Sequence, residues 1–208
     1  MLGFWKVVRD EMATNPIRVA NCSGFFGDRL SAAKEMVEGG PIDALTGDWL
    51  AELTMLILSR IQAKSPGGGY ARTFVTQMEQ VMGQCLDKGI KVITNAGGLN
   101  PEGCADAVQQ VADRLGIAPK IAYVGGDDLS KRLTDLIGSG NRFNHLDTGE
   151  PLGKLADRIV TANAYIGCWG IVEALNQGAD IVVTGRATDA AVVAGPAAWH
   201  HQWKRNDW

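Results

Sequence analysis

The chain has 208 residues, of which 46% are hydrophobic and 21% are charged, so residues 1–208 fit one large domain better than two. The 20 basic residues nearly balance the 23 acidic ones and are scattered, which argues against nucleic acid as a partner. The four cysteines form no CxxC pair, and no apolar run approaches the length of a membrane helix. We therefore expect a cytoplasmic protein with reduced thiols and no membrane partner.

Six short apolar or β-branched runs each stop at polar or glycine residues before a helical pattern begins. In chain order the runs are 17–21, 44–45, 92–94, 121–124, 159–161 and 181–183. This rhythm is typical of parallel strands joined by crossover helices. It predicts a three-layer α/β/α domain with a mainly parallel sheet of about six strands, and an incomplete (β/α)8 barrel is the alternative.

Helical patterns lie between and after these runs. They cover 28–38, 48–64, 71–88, 101–115, 129–137, 167–177 and a last stretch from 188. The apolar face of the second pattern predicts that this helix is the most buried and lies against the sheet. A glycine-rich turn at 64–69 joins it to the third helix without an intervening strand. A crossover made of two helices in this way often covers a site. The polar segment 138–154 is predicted to be a flap.

Polar residues stand directly after the predicted strands. Because parallel connections bring the carboxyl ends of all strands to one sheet edge, we expect these residues to share one crevice. They are Asn21, Asp48, Asn95, Asp128, Asn163 and Arg186. Unpaired buried amides cost about 1–3 kcal/mol per group, so either a ligand or the neighbouring backbone must satisfy the three asparagines.

Several of these junctions allow both a binding role and a structural role. Gly97 and Gly98 could present backbone N–H groups to a phosphate, although no complete phosphate-binding motif is present. Arg186 could hold a carboxylate or phosphate, or it could pair with Asp189. The aspartates at helix starts are also good N-caps. Three of them could together hold a divalent cation, namely Asp48, Asp128 and Asp189.

Cys22 follows a strand but is not predicted to be a nucleophile. A catalytic cysteine needs a partner imidazole, and the only histidines are His145, His200 and His201. We expect Cys22 to be a small buried apolar residue. The last helix carries large apolar groups toward the end of the sequence, which predicts substantial exposure of Trp199, Trp203 and Trp208.

Several strings of the sequence, in order, closely resemble the acyclic terpene utilisation family, AtuA. They are NCSGFFGDR at 21–29, GPIDALTGDWLAE at 40–52, TNAGGLNP at 94–101, NAYIG at 163–167, VTGRATD at 183–189 and GPAAWH at 195–200. The resemblance runs from about Arg18 to the last residue. It implies a link to the breakdown of citronellol- and geraniol-type terpenoids through acyl-CoA thioesters. It also implies a longer chain, often with a ferredoxin-like domain, so we expect this sequence to be a fragment.

Together these observations favour an enzyme of terpenoid breakdown that acts on an acyl-CoA or related carboxylate by a hydration, lyase or retro-aldol step. Asp48 and Asp189 are the expected proton carriers, and Arg186 is expected to hold the substrate's oxygens. The remaining candidate binding residues are Asn21, Ser23, Asn95, Gly97, Gly98, Asp128 and Asn163. The alternative is a non-catalytic ligand-binding or accessory subunit of a terpenoid-degradation enzyme complex. For either function, the expected partners are a small-molecule substrate and either a second copy of the chain or a partner subunit.

Overall fold

The structure is a computed structural model that describes residues 15–207. Its strands are β1 (Val19–Asn21), β2 (Ala44–Gly47), β3 (Lys91–Gly98), β4 (Ile121–Val124) and β5 (Ile181–Gly185). Its helices are α1 (Ala32–Gly39), α2 (Glu52–Lys64), α3 (Arg72–Asp87), α4 (Pro101–Leu115), α5 (Leu133–Gly138), α6 (Trp169–Asn176) and α7 (Ala191–His200). Two 3₁₀ helices cover Ser130–Arg132 and Leu152–Arg158.

The five strands form one open sheet in the order β1-β2-β3-β5-β4, and every neighbouring pair is parallel. The helices cover both faces of this sheet, so the predicted three-layer α/β/α class is confirmed. The sheet is not closed, and the barrel alternative is therefore not the arrangement of the described residues.

Alternating side chains of the strands point to the two faces of the sheet, as the pleat of a strand requires. Val92 packs in one core cluster with α1, α3 and α4, whereas the next residue, Ile93, packs in the second cluster with α6 and α7. Both faces of the central strands are thus buried. This burial explains why the strands are continuous apolar runs without alternating polar residues.

The chain reverses direction across the sheet between β4 and β5. It passes from β3 over one face to β4 and returns over the other face to β5, which lies between them. The connections that leave β3 and β5 therefore run over opposite faces. In open α/β sheets the crevice at such a switch point, beyond the carboxyl ends of the strands, is where ligands bind.

The strand predicted at 159–161 does not form. This segment follows a 3₁₀ helix and is irregular, and single bridges beside it join Asp128 to Asn163 and Ile166 to Ala187. Val160 is 58% exposed. A β-branched run becomes a strand only where it has a cross-strand partner and a surface to pack on, and 159–161 has neither.

The prediction that the second helix is the most buried is wrong. α2 begins at Glu52 and buries only Thr54, Met55 and Leu58, whereas Leu53 is 67% exposed. α3 buries six side chains and packs beside β3. α2 carries apolar residues around most of its circumference, so its pattern does not select one face. It lies across the carboxyl edge of the sheet, with Leu58 over the end of β3.

Two further expectations concern helices and tryptophans. Within the described residues, no helix combines the length and the apolar character needed to cross a bilayer. Trp203 is 48% exposed, as predicted, but Trp199 is partly buried against the second core cluster. Trp208 lies outside the described residues.

Candidate functional site

The candidate site lies at the switch point, beyond the carboxyl ends of β3 and β5. Arg186 follows β5 directly and is only 4% exposed. Its Nη1 donates to the carbonyl oxygen of Leu50 at 2.6 Å, so the side chain spans from β5 past β3 to the segment after β2. Its Nε is buried and has no partner among the described residues.

Two exposed carboxylates flank this buried guanidinium. Asp189 Oδ1 lies 3.4 Å from Nη1 of Arg186, and Glu52 Oε1 lies 3.5 Å from Nη2. The side chains of Glu52 and Asp189 are 79% and 70% exposed, so both can meet a ligand from solvent. The structure therefore contains the ion pair between Arg186 and Asp189 that the sequence suggested. It also contains a second ion pair, between Arg186 and Glu52.

Tyr165 completes this group, which we call the Arg186 cluster: Arg186, Glu52, Asp189 and Tyr165. The Tyr165 ring covers the guanidinium at 4.2 Å from the ring centroid, and its hydroxyl donates to Glu52. That hydrogen bond is the main reason why the pKa of Glu52 is lowered. Burial alone would lower the pKa of Arg186, but Tyr165 and the carboxylates raise it above its ordinary value. The cluster thus holds the ionised carboxylate of Glu52 next to a hydroxyl.

Asp48 and Asn95 brace the segment between β2 and α2. Asn95 Nδ2 donates to Asp48 Oδ1 at 2.5 Å, and Asn95 Oδ1 accepts the N–H of Trp49 at 2.7 Å. Asn95 is fully buried, and its amide oxygen and nitrogen are both paired within the protein. The Asn95 amide is therefore satisfied by the backbone of Trp49 and by Asp48. These contacts correspond to a structural role and not to contact with a ligand.

Asp128 is the predicted binding residue, but its neighbour Asp127 is the aspartate that is buried at this edge of the sheet. Asp127 is 2% exposed, and its Oδ2 accepts the N–H of Arg186 at 2.7 Å and Asn163 Nδ2 at 2.9 Å. Asp128 is exposed and accepts the N–H of Ser130 at 2.8 Å, a local contact typical of an aspartate in a turn. Asp127 therefore joins the segments that carry Asn163, Tyr165 and Arg186.

The other predicted binding residues have local partners. Asn21 Nδ2 donates to the carbonyl oxygen of Ser23 at 2.8 Å, and Ser23 Oγ donates to that of Phe25 at 3.0 Å. A Cβ added to Gly97 would lie 2.5 Å from the carbonyl oxygen of Thr184, so this glycine permits close packing of β3 on β5. Gly98 has a φ of 54°. Packing and backbone geometry account for both glycines.

The three aspartates proposed for a cation are not brought together. Asp48 is braced by Asn95, Asp128 accepts the N–H of Ser130, and Asp189 lies beside Arg186. Across residues 15–207, no group of three His, Cys, Asp or Glu side chains is arranged to hold a metal ion.

Nucleophilic chemistry by Cys22 is disfavoured, because burial raises the pKa of its thiol to about 12.

Sequence reasoning missed Glu52, Tyr165 and Asp127 as members of this edge. Glu52 resembles an ordinary acid in the first turn of a helix, and Tyr165 lies 113 residues away from it in the chain. Asp127 and Asp128 are adjacent and chemically identical in sequence. Only burial and hydrogen bonding distinguish the acid that anchors Arg186 from the one that caps a turn.

The fold and this geometry define an open-sheet α/β protein with a polar, arginine-centred cluster at its switch point, an arrangement typical of small-molecule sites. The chain belongs to the acyclic terpene utilisation family. The family model described as acyclic terpene utilisation family protein AtuA matches residues 17–208, which confirms the resemblance. No curated protein and no solved structure matches the chain. Membership implies involvement in acyclic terpene utilisation.

Proposed function

We propose that the chain is an enzyme of acyclic terpenoid breakdown that performs acid–base chemistry of the lyase or hydro-lyase type on an acyl-CoA or related carboxylate in the cytoplasm. The observation that carries the proposal is the Arg186 cluster. Two exposed carboxylates lie within 3.5 Å of one buried guanidinium, and Tyr165 donates a hydrogen bond to one of them. A carboxylate that is kept ionised and a hydroxyl bonded to it are a base and an acid placed side by side.

Addition of water to an unsaturated acyl thioester illustrates the proposed roles. Glu52 takes a proton from water as the oxygen bonds to the β-carbon, and the electrons of the C=C bond move toward the carbonyl. Tyr165 gives its proton to the α-carbon and regains one from Glu52 through their hydrogen bond. The net change is addition of one water, and neither side chain is consumed.

In this proposal Arg186 binds the substrate and Asp189 is a second proton carrier. Arg186 Nη2 has only the longer contact to Glu52, so it can donate to a substrate oxygen while Nη1 stays bound to Leu50. Asp189 is the second candidate proton carrier, because its carboxylate is exposed on the other side of the same guanidinium. The contacts of Asp48, Asn95 and Asn163 favour a bracing role for them in this proposal.

The alternative is a ligand-binding or accessory subunit without catalysis. One observation favours it: each charged group of the cluster already has a protein partner, as in a structural ion-pair network. In that case the same edge would bind a terpenoid ligand and present it to a partner subunit. Binding without turnover distinguishes this alternative from the enzyme.

The decisive experiment measures hydration of the coenzyme A thioester of a geraniol-derived unsaturated acid. We expect Glu52→Gln and Tyr165→Phe each to lower kcat by about two orders of magnitude, because each removes one proton carrier. Glu35→Gln is a matched control, since Glu35 also lies in the first turn of a helix and pairs with an arginine. Tyr123→Phe is the second control, since Tyr123 is 50% exposed, close to the 51% of Tyr165.

The outcomes separate the two functions. Loss of kcat in both site variants, with both controls active, supports the enzyme. Tight binding of the thioester by the wild-type protein without turnover would favour the accessory subunit. Full activity of Tyr165→Phe would contradict the proton relay, even if the protein proved to be an enzyme.

Arg186→Lys tests the proposed contact to substrate. Lysine keeps the charge but lacks the planar group that can bond Leu50 and a ligand at once, so we expect the thioester to bind about tenfold more weakly. Arg114→Lys is the control, since Arg114 lies in an exposed ion pair on α4. Unchanged affinity in Arg186→Lys would mean that Arg186 is only a structural member of the ion-pair network.

A further inference from the structure

A cavity of about 430 Å³ lies on the same sheet edge as the Arg186 cluster. Its walls come from α2 and the turn after it, from the segment between β3 and α4, from the start of the 3₁₀ helix after β4, and from residues 160 and 161 of the irregular segment 159–165. The residues that matter for its chemistry are Ser59, Gln62, Asn100, Asp128, Lys131 and Thr161. The volume is within the range typical of small-molecule sites.

Two elements connect this cavity to the cluster. α2 contributes Glu52 to the cluster and, seven residues later, Ser59 to the cavity, which is a separation of about 10 Å along the helix axis. The irregular segment contributes Tyr165 to the cluster and Thr161 to the cavity. A ligand that reaches from one to the other must be elongated.

The polar groups of the cavity are largely uncommitted. Within the described part of the chain, the side chains of Ser59, Gln62 and Thr161 have no protein hydrogen-bond partner. Such amides and hydroxyls recognise a ligand that itself carries amides and hydroxyls. Asn100 is different, because its Oδ1 caps α4 and its Nδ2 donates to the carbonyl oxygen of Gly68.

The charges of the cavity are one lysine and one aspartate. Lys131 forms no ion pair among the described residues, so its ammonium can meet an anion. Asp128 has its Oδ1 occupied by the N–H of Ser130. The lining therefore suits a mostly neutral polar arm with a single anionic group at the lysine.

We propose that this cavity binds the carrier arm of an acyl thioester, with its amides and hydroxyl at Ser59, Gln62 and Thr161 and its phosphate at Lys131. The inference rests on the proposed function, because the thioester end is placed at Glu52. The coenzyme A arm has this chemistry: amides and a hydroxyl that lead to phosphate. The distance between Glu52 and Ser59 along α2 then corresponds to the distance between the thioester group and the amides of the arm.

The test is a binding cycle that does not depend on turnover. Pantetheine and 4′-phosphopantetheine differ by one phosphate, and their dissociation constants are measured by calorimetry on the wild-type chain and on Lys131→Ala. We expect the phosphate to strengthen binding to the wild-type chain by about tenfold, and we expect this advantage to disappear in Lys131→Ala. Arg132→Ala is the matched control, because Arg132 is the adjacent exposed cation and does not line the cavity.

A second variant tests the polar part of the arm. Gln62→Leu should weaken both probes by the same factor of about five, whereas Gln80→Leu, on an exposed position of α3, should weaken neither. Any one of three results would overturn the proposal: no binding of either probe, equal binding of both to the wild-type chain, or an equal effect of Arg132→Ala and Lys131→Ala. Failure of Glu52→Gln to affect turnover would leave these binding results unchanged, so the two proposals fail separately.

Discussion

Replacement of Asp127 by alanine should destabilise the fold strongly. The Asp127 carboxylate is buried and accepts two hydrogen bonds, from the N–H of Arg186 at 2.7 Å and from Asn163 Nδ2 at 2.9 Å. Hydrogen bonds to a charged group contribute about 1.5–3 kcal/mol each, and Arg186 is too buried to gain water instead. We therefore expect Asp127→Ala to lower the free energy of unfolding by about 3 kcal/mol or more. That is a large fraction of the roughly 5–15 kcal/mol of a typical domain.

The neighbouring residue offers an internal control. Asp128 is exposed and accepts one hydrogen bond, from the N–H of Ser130, so Asp128→Ala should cost about 1 kcal/mol, the net contribution of one ordinary hydrogen bond. Asp127→Asn keeps one acceptor oxygen without the charge and should fall between the two. The assay is urea denaturation followed by tryptophan fluorescence, with the midpoint and the slope m fitted separately.

Equal shifts of the urea midpoint in Asp127→Ala and Asp128→Ala would contradict this prediction. If Asp127→Ala and Asp128→Ala shift the midpoint by the same amount at unchanged m, then the two buried hydrogen bonds of Asp127 stabilise the fold no more than the single exposed hydrogen bond of Asp128. The role of Asp127 in holding Arg186 would then have to be abandoned. A changed m in Asp127→Ala alone would instead indicate that the native edge opens when the anchor is lost.

Three further predictions concern the backbone, pH and thiols. Gly98→Ala should destabilise by about 1–3 kcal/mol in urea, since φ is 54° and the new Cβ would lie 2.7 Å from a backbone oxygen. Gly83→Ala, in open space within α3, should stabilise by about 0.5–1 kcal/mol, and the opposite order would contradict this. The pKa of Asp43 is lowered to about 2 by its hydrogen bond with an arginine, so its contribution is complete above the ordinary pKa of 3.8 and is lost as pH falls toward 2. The thermal midpoints of the wild-type chain and Asp43→Asn should therefore converge between pH 5 and pH 2, and a constant difference would disprove the linkage. Burial raises the pKa of Cys22 to about 12, so iodoacetamide at pH 8 should label the half-buried Cys168 first by mass spectrometry. Equal labelling rates would show that Cys22 is accessible.

The fold class and the sheet edge of the candidate site can both be predicted from the pattern of amino acids. The central strands are mainly apolar because both faces of the sheet are covered there, and each run ends at polar or glycine residues, so the junctions are visible without coordinates. Arg186 was identified in this way, because it follows a strand directly. Its pairing with Asp189, three residues later, was also within reach of local reasoning.

The pattern of amino acids does not show which polar side chains lie together at this edge, because that depends on contacts between distant parts of the chain. Glu52 and Tyr165 meet although 113 residues separate them, because α2 crosses the sheet edge and the segment 159–165 lies beside it without forming a strand. Local pattern could not show either feature: α2 is apolar on most sides, and 159–161 has β-branched residues but no partner strand. The choice of Asp127 over Asp128 likewise required burial, because a carboxylate acts as an anchor only where water cannot replace the donors it accepts.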